Sequence, residues 1–128
     1  MNDVTPRRSR RSAREAGTRF ETALAGYLAE RLMDDRIVRR ARTGAADRGD
    51  ISGVHVWGQR LVIEAKNYGG RLALPEWLAE AEVEAGNDDA LLGVVVAKRR
   101  GVADPGAQYV ITTVDGLVSL LTGQTKGK

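Results

Sequence analysis

Between residues 20 and 32 the apolar side chains Phe20, Ala23, Leu24, Tyr27, Leu28 and Leu32 recur three and four positions apart. That spacing puts them on one face of a helix. Ser12 followed by Glu15 has the form of a capping box, so the helix is expected from Ser12 to about Met33. The rhythm then changes. Residues 37–41, 51–57 and 61–66 are short and rich in β-branched and apolar side chains, as strands are. A polar loop, 43–49, separates the first two, and Gly58-Gln59 is the expected hairpin turn between the last two. Pro75 opens a second helix with Leu74, Trp77, Leu78 and Ala81 on one side and Glu76, Glu80 and Glu84 on the other, and Gly86-Asn87 closes it. Residues 91–97 form a continuous apolar run, the mark of a strand covered on both faces. A shorter strand is expected at 109–112, and Val114, Leu117, Val118 and Leu121 give a short final helix.

The order is therefore helix, three strands, helix, strand, strand, helix, without internal repeats. Tight turns suffice for the early meander, whereas the later strand is reached through a crossover helix. This predicts an α/β fold with a mixed β-sheet flanked by helices. The chain of 128 residues is one domain's worth. Residues 12–122 are expected to form it, with a flexible basic arm at 1–11 and a flexible tail at 123–128.

Composition removes several chemistries. The chain has no Cys, which excludes a disulfide framework, a thiolate metal site and a cysteine nucleophile. No apolar run approaches the ~20 residues of a membrane span, and no apolar segment follows the basic start, so neither a membrane partner nor a secretory signal is expected. The net charge of +3 conceals strong segmentation. Residues 1–48 carry twelve basic and seven acidic groups, residues 49–97 three and eight, and residues 98–128 five and two.

The candidate chemistry lies in the acidic middle. Side chains alternate along a strand, so Glu64 and Lys66 emerge on the same face. If 51–57 and 61–66 pair as a hairpin, Asp50 at the start of one strand approaches Glu64 and Lys66 at the end of the other. Glu64 and Lys66 also read as an ordinary same-face ion pair. Glu21 on its own reads as a solvated helical side chain beside Phe20.

Gly17-Thr18-Arg19-Phe20-Glu21 in a leading helix, Gly49-Asp50 before a strand, and Glu64-Ala65-Lys66 at a strand end together resemble the PD-(D/E)xK nuclease superfamily. The similarity is greatest to the archaeal-type and phage-encoded Holliday junction resolvases and spans residues 14–101. Glycine 49 stands where the motif's name has proline. The resemblance implies a restriction-endonuclease-like fold and an Mg²⁺-dependent endodeoxyribonuclease, with Mn²⁺ as a substitute. It implies Asp50, Glu64, the Ala65 carbonyl and Glu21 as metal ligands, and Lys66 beside the attacking water. Hard cations of this kind take one or two carboxylates plus water and phosphate oxygens, so the residue types suit the task. Asp47 competes with Asp50, which directly precedes the apolar strand.

Arg7, Arg8, Arg10, Arg11, Arg14 and Arg19, then Arg36, Arg39, Arg40, Arg42 and Arg48, supply phosphate contacts whose binding falls with salt. Lys98 and Arg99 at a strand end read equally as solvated charges or phosphate contacts. Ser52 reads as a structural hydroxyl or as a site neighbour of Asp50. His55 reads as packed or exposed rather than as a ligand, and Trp57 and Trp77 read as core or subunit contacts rather than base-stacking platforms, since in sequence no third aromatic or basic residue frames either tryptophan. Glu76, Glu80, Glu82 and Glu84 are expected on a helix turned away from DNA. The resemblance further implies four-way junction DNA as substrate, a C2 homodimer and a phage or prokaryotic cytoplasm. The second helix and the apolar strand are the expected subunit contact. The alternatives are a single-strand or restriction-type nuclease of the same superfamily, or a non-catalytic DNA-binding protein.

Overall fold

A computed structural model describes residues 9–41 and 48–125. Helix α1 (Arg10–Arg31) is followed by β1 (Val38–Arg39), β2 (Ile51–Ser52), β3 (His55–Val56) and β4 (Gln59–Lys66). Then come α2 (Leu74–Asn87), β5 (Leu92–Ala97), a 3-10 turn (Pro105–Ala107), β6 (Tyr109–Ile111) and α3 (Val114–Thr122). The strands form a mixed sheet in the order β1-β2-β4-β5-β6, with β3 folded back on β4 as a hairpin. Among the described strands only β4 and β5 run parallel, in register from Leu61 opposite Leu92 to Lys66 opposite Ala97, because α2 carries the chain across between them. The class is α/β, and helices cover both sides of the sheet.

On one side Phe20, Leu24 and Ala25 of α1 pack over Ile51, Ile63, Val94 and Val96. On the other, Trp77 and Ala81 of α2 pack on Val95 and Ala97. All six residues of β5 are buried, as a strand covered on both faces requires. The sheet and α2 meet closely at Gly93, where an added Cβ would lie 2.2 Å from the Ala81 carbonyl oxygen.

Five details depart from expectation. Helix α1 begins at Arg10, because the Ser9 side chain accepts the Ser12 N–H at 3.0 Å and serves as the cap. Glu15 is instead paired with Arg11 at 3.1 Å. The segment expected as one strand at 51–57 is broken at Gly53 (φ +90°), whose Cβ position lies 2.3 Å from the Arg36 carbonyl oxygen, so the backbone turns there and buries Val54. The hairpin turn is Trp57-Gly58, both left-handed (φ +56° and +69°), rather than Gly58-Gln59. A hydrogen bond of 2.8 Å from the Trp57 indole to the Leu120 carbonyl accompanies this conformation, which tryptophan seldom adopts. Glu84 is buried beside Trp77, Ala81 and Ala85, since it lies seven positions after Trp77 and three after Ala81 on the same stripe.

The fifth departure concerns α3. Its expected apolar stripe faces solvent: Val114 is 78%, Leu117 49%, Val118 49% and Leu121 67% exposed, while Gly116 and Ser119 are buried. Of the subunit contact expected on α2 and the apolar strand, the strand half lies buried inside the molecule. β5 is interior, and α2 covers the sheet with its own apolar side. Among the described residues no helix is long and apolar enough to cross a membrane.

Candidate active site

β4 places the central residues. Ile63 and Ala65 pack toward α1, so the alternation of the strand sends Glu64 and Lys66 to the other side, where both are buried. Asp50, just before β2, is fastened to β4 twice. Its N–H donates to the Ile63 carbonyl at 3.0 Å, and its Oδ2 accepts the Ala65 N–H at 2.8 Å. A strand residue's N–H and C=O leave on the same edge, so the Ala65 carbonyl is directed to the Asp50 side as well.

Glu21 comes from the middle of α1, where Arg39 Nε donates to its Oε2 at 2.8 Å. Burial and the adjacent Asp50 carboxylate raise its pKa above the usual value for glutamate, while Arg39 pulls against both. Glu21, Glu64, Ala65 and Lys66 share one cavity of about 330 Å³, which Arg14 and Tyr68 also line. The elements thus bring together Glu21, Asp50, Glu64, Ala65 and Lys66, which are far apart in sequence.

Lys66 stands between two carboxylates. Its Nζ lies 2.6 Å from Glu80 Oε2 and 3.8 Å from Glu64 Oε1. Glu80 therefore reaches the site instead of turning away from it. Its place one turn after Trp77 and next to Ala81, on a helix packed across the sheet, was the available signal, obscured by three neighbouring glutamates. The second Glu64 oxygen, Oε2, is buried with no hydrogen-bond partner among the described residues. Leaving a buried carboxylate oxygen unpaired is costly, and a cation is what most directly offsets it. Among the described residues no three acidic or imidazole groups converge to hold a metal unaided. Two carboxylates and a backbone carbonyl, completed by water and substrate phosphate, nevertheless suit Mg²⁺ better than a closed protein cage. The donor set fits.

The basic residues divide. Arg10, Arg14, Gly17 and Glu21 follow one another at helical spacing along α1, so exposed Arg10 and Arg14 lead to the cavity. Exposed Arg11 and Arg19 flank Arg14. Arg19 and Lys98 line an adjoining groove with Asn67, and Lys98 Nζ donates to the Arg99 carbonyl at 2.8 Å. Arg99 has structural duties: its N–H meets Gln108 at 2.6 Å, its Nη1 meets the Ala107 carbonyl, and its guanidinium lies 4.7 Å over the Tyr109 ring. Arg36 is held by Asp34, whose pKa it draws down to about 2, and Arg40 by Asp88 and the Arg48 carbonyl.

Ser52 sits in β2 opposite Val38 and does not line the cavity. His55 bonds the Gly53 carbonyl at 3.1 Å, away from the site. Trp77 is framed after all, by Tyr68 at 5.4 Å between ring centres, with Arg71 beside Tyr68. Arg7, Arg8, Arg42 and Asp47 lie outside the described residues. Compared with models of protein families, with curated proteins and with solved structures, the chain has no significant match.

Proposed function

We propose that this chain is a metal-dependent DNA endonuclease of the PD-(D/E)xK kind, with a restriction-endonuclease-like fold, acting on four-way junctions as a Holliday junction resolvase. The observation that carries the reading is the Glu64 oxygen that finds no hydrogen-bond partner among the described residues, buried beside Lys66, with Asp50 locked to the intervening Ala65. Surface ion pairs do not require such an arrangement.

Asp50, Glu64 and the Ala65 carbonyl would hold Mg²⁺ or Mn²⁺, with Glu21 contributing directly or through water. The bound cation supplies neutralisation of charge on the scissile phosphate and activation of water. Lys66 Nζ, held at the cavity by two carboxylates, stabilises negative charge developing on the attacking water or the phosphate. Arg14 and Arg10 extend a track of phosphate contacts from the cavity along α1. Backbone contacts of this kind follow the shape of DNA rather than its sequence.

Symmetrical cleavage of a junction needs two sites related by a two-fold axis, so the partner is a second copy of the chain. The exposed stripe of α3 beside the β6 edge is the surface for it. From Tyr109 to Gly123 the sequence holds one charged residue, Asp115. A face meeting its own copy gains from carrying almost no charge to repel itself.

Purified protein with Mg²⁺ and labelled four-way junction, flap and linear duplex tests the reading. Cleavage of the junction in preference to duplex is expected. Glu64→Ala and Lys66→Ala should each lower cleavage by roughly 10³-fold or more while junction binding persists. Equal cleavage of all substrates would overturn the resolvase assignment, and binding without cleavage would overturn the enzyme. Between the two aspartates, Asp47→Asn should stay active where Asp50→Asn does not.

A further inference from the structure

The loop between β4 and α2 carries an aromatic group that the proposed hydrolysis does not use. Tyr68 lies two residues beyond Lys66 and lines the same cavity as Glu21, Glu64 and Lys66. It is 48% exposed, although its ring packs on the buried Trp77 with centres 5.4 Å apart and planes inclined by 31°. A tyrosine needed only as core would be covered. This one packs on Trp77 and still leaves about half of its surface to solvent. Two cations attend it: the Arg71 guanidinium and Lys66 Nζ each lie 6.0 Å from its ring centre.

An aromatic face on a rigid support, next to cations that take a phosphodiester backbone, is the arrangement by which proteins hold a single unpaired base. In continuous duplex both faces of every base are covered by neighbours, so an open tyrosine has nothing to stack on. At a branch point, a nick or a single-stranded end, a base face is free.

We propose that Tyr68, seated on Trp77 and flanked by Arg71, is a stacking platform for an unpaired or unstacked base next to the scissile phosphate. It thereby selects branched or partly single-stranded DNA over continuous duplex. The proposal rests on the nuclease reading above and adds a specificity-determining residue to it. The phosphate enters the cavity lined by Glu64 and Lys66, and the base attached to its neighbouring sugar turns onto the Tyr68 ring. Arg71 holds the next phosphate along.

The test uses full-length protein without added metal and DNA bearing 2-aminopurine, whose fluorescence is quenched by stacking. The label is placed at the centre of a four-way junction, in a single-stranded flap, or within continuous duplex. Tyr68→Phe keeps the ring and should behave as the unchanged protein. Tyr68→Leu should lose roughly tenfold in affinity for junction and flap, about one base stack, with duplex binding unaltered. It should also fail to quench the label, and in Mg²⁺ its preference for junction over duplex should shrink by a similar factor. Equal loss for duplex and branched DNA, or unchanged quenching and preference in a folded Tyr68→Leu protein, would overturn the stacking role and leave the nuclease assignment standing. Failure of the unchanged protein to bind any of the three DNAs would overturn the nuclease reading and this proposal with it. If Tyr68→Leu does not fold, Arg71→Ala combined with Tyr68→Phe supplies the alternative comparison. It should weaken branched-DNA binding through the backbone while quenching persists, and loss of quenching there would count against the ring.

Discussion

At the scale of single residues, the site holds more negative charge than its surroundings comfortably accept. Glu21 is partly buried beside Asp50, and its raised pKa means that the folded protein accepts the neutral form more readily than the unfolded chain does. For a carboxyl group shifted upward, stability is greatest below the unfolded value and falls as pH rises through the folded one. Metal-free Glu21→Gln should therefore have a higher Tm than the unchanged protein at pH 7, by a few degrees. The gap should close as pH falls toward 4 and Glu21 takes up its proton. Thermal unfolding followed by circular dichroism over that range is the measurement, and a Tm gap independent of pH would contradict the assigned cause. The same variant should lose nuclease activity, so stability and function would move in opposite directions.

Residue-level legibility follows the same geometry. Asp50, Glu64 and Lys66 could be associated from sequence because a hairpin is local and strand alternation is strict. The contributions of Glu80, Tyr68 and Arg39 depend on how a helix, a loop and an edge strand dock on that hairpin. No spacing rule encodes that.

Among the elements, the decisive contact is between α2 and the parallel pair β4–β5. Trp77, Ala81 and Ala85 bring the helix onto Val95 and Ala97, and Gly93 lets it approach until backbone nearly meets backbone. Gly93→Ala would force the two layers apart, and a loss of roughly 2–3 kcal/mol in urea unfolding is expected, in the range of overpacked cores. A neutral result would mean that the layers separate more readily than their packing indicates. Sequence periodicity identified each helix and nearly every strand, since amphipathic stripes and apolar runs are local signals. It misjudged where α1 starts, because Ser9 and Ser12 are both acceptable caps. It also misread α3, whose regular stripe of Val114, Leu117, Val118 and Leu121 would ordinarily mark the buried side. Periodicity shows that a helix has an apolar face without specifying what covers it.

For the molecule as a whole, that uncovered face predicts assembly. Leu117→Glu and Leu121→Glu place charge in the centre of a surface that would meet its own copy, and each should weaken self-association at least tenfold, as roughly 1.4 kcal/mol or more lost at a central contact would. Sedimentation at micromolar concentration reads this directly. A dimer in the unchanged protein that becomes a folded monomer in the variants is expected. Monomeric unchanged protein would remove the symmetry argument for paired cleavage. The division of charge along the chain also acquires a spatial sense: the arginines of α1 approach the cavity from one layer, while the acidic residues of α2 supply a partner for Lys66 from the other.

That last pairing makes the helix a reporter on the site. Lys66 answers to Glu64 on its own strand at 3.8 Å and, more closely, to Glu80 across the layer gap at 2.6 Å, so under the proposed function a cation held by Glu64 would leave the ammonium to α2. By reciprocity, unseating α2 would return Lys66 to Glu64 and compete with that cation by the same free energy. Under the proposed function, cation affinity and the seating of α2 would become two readings of one equilibrium.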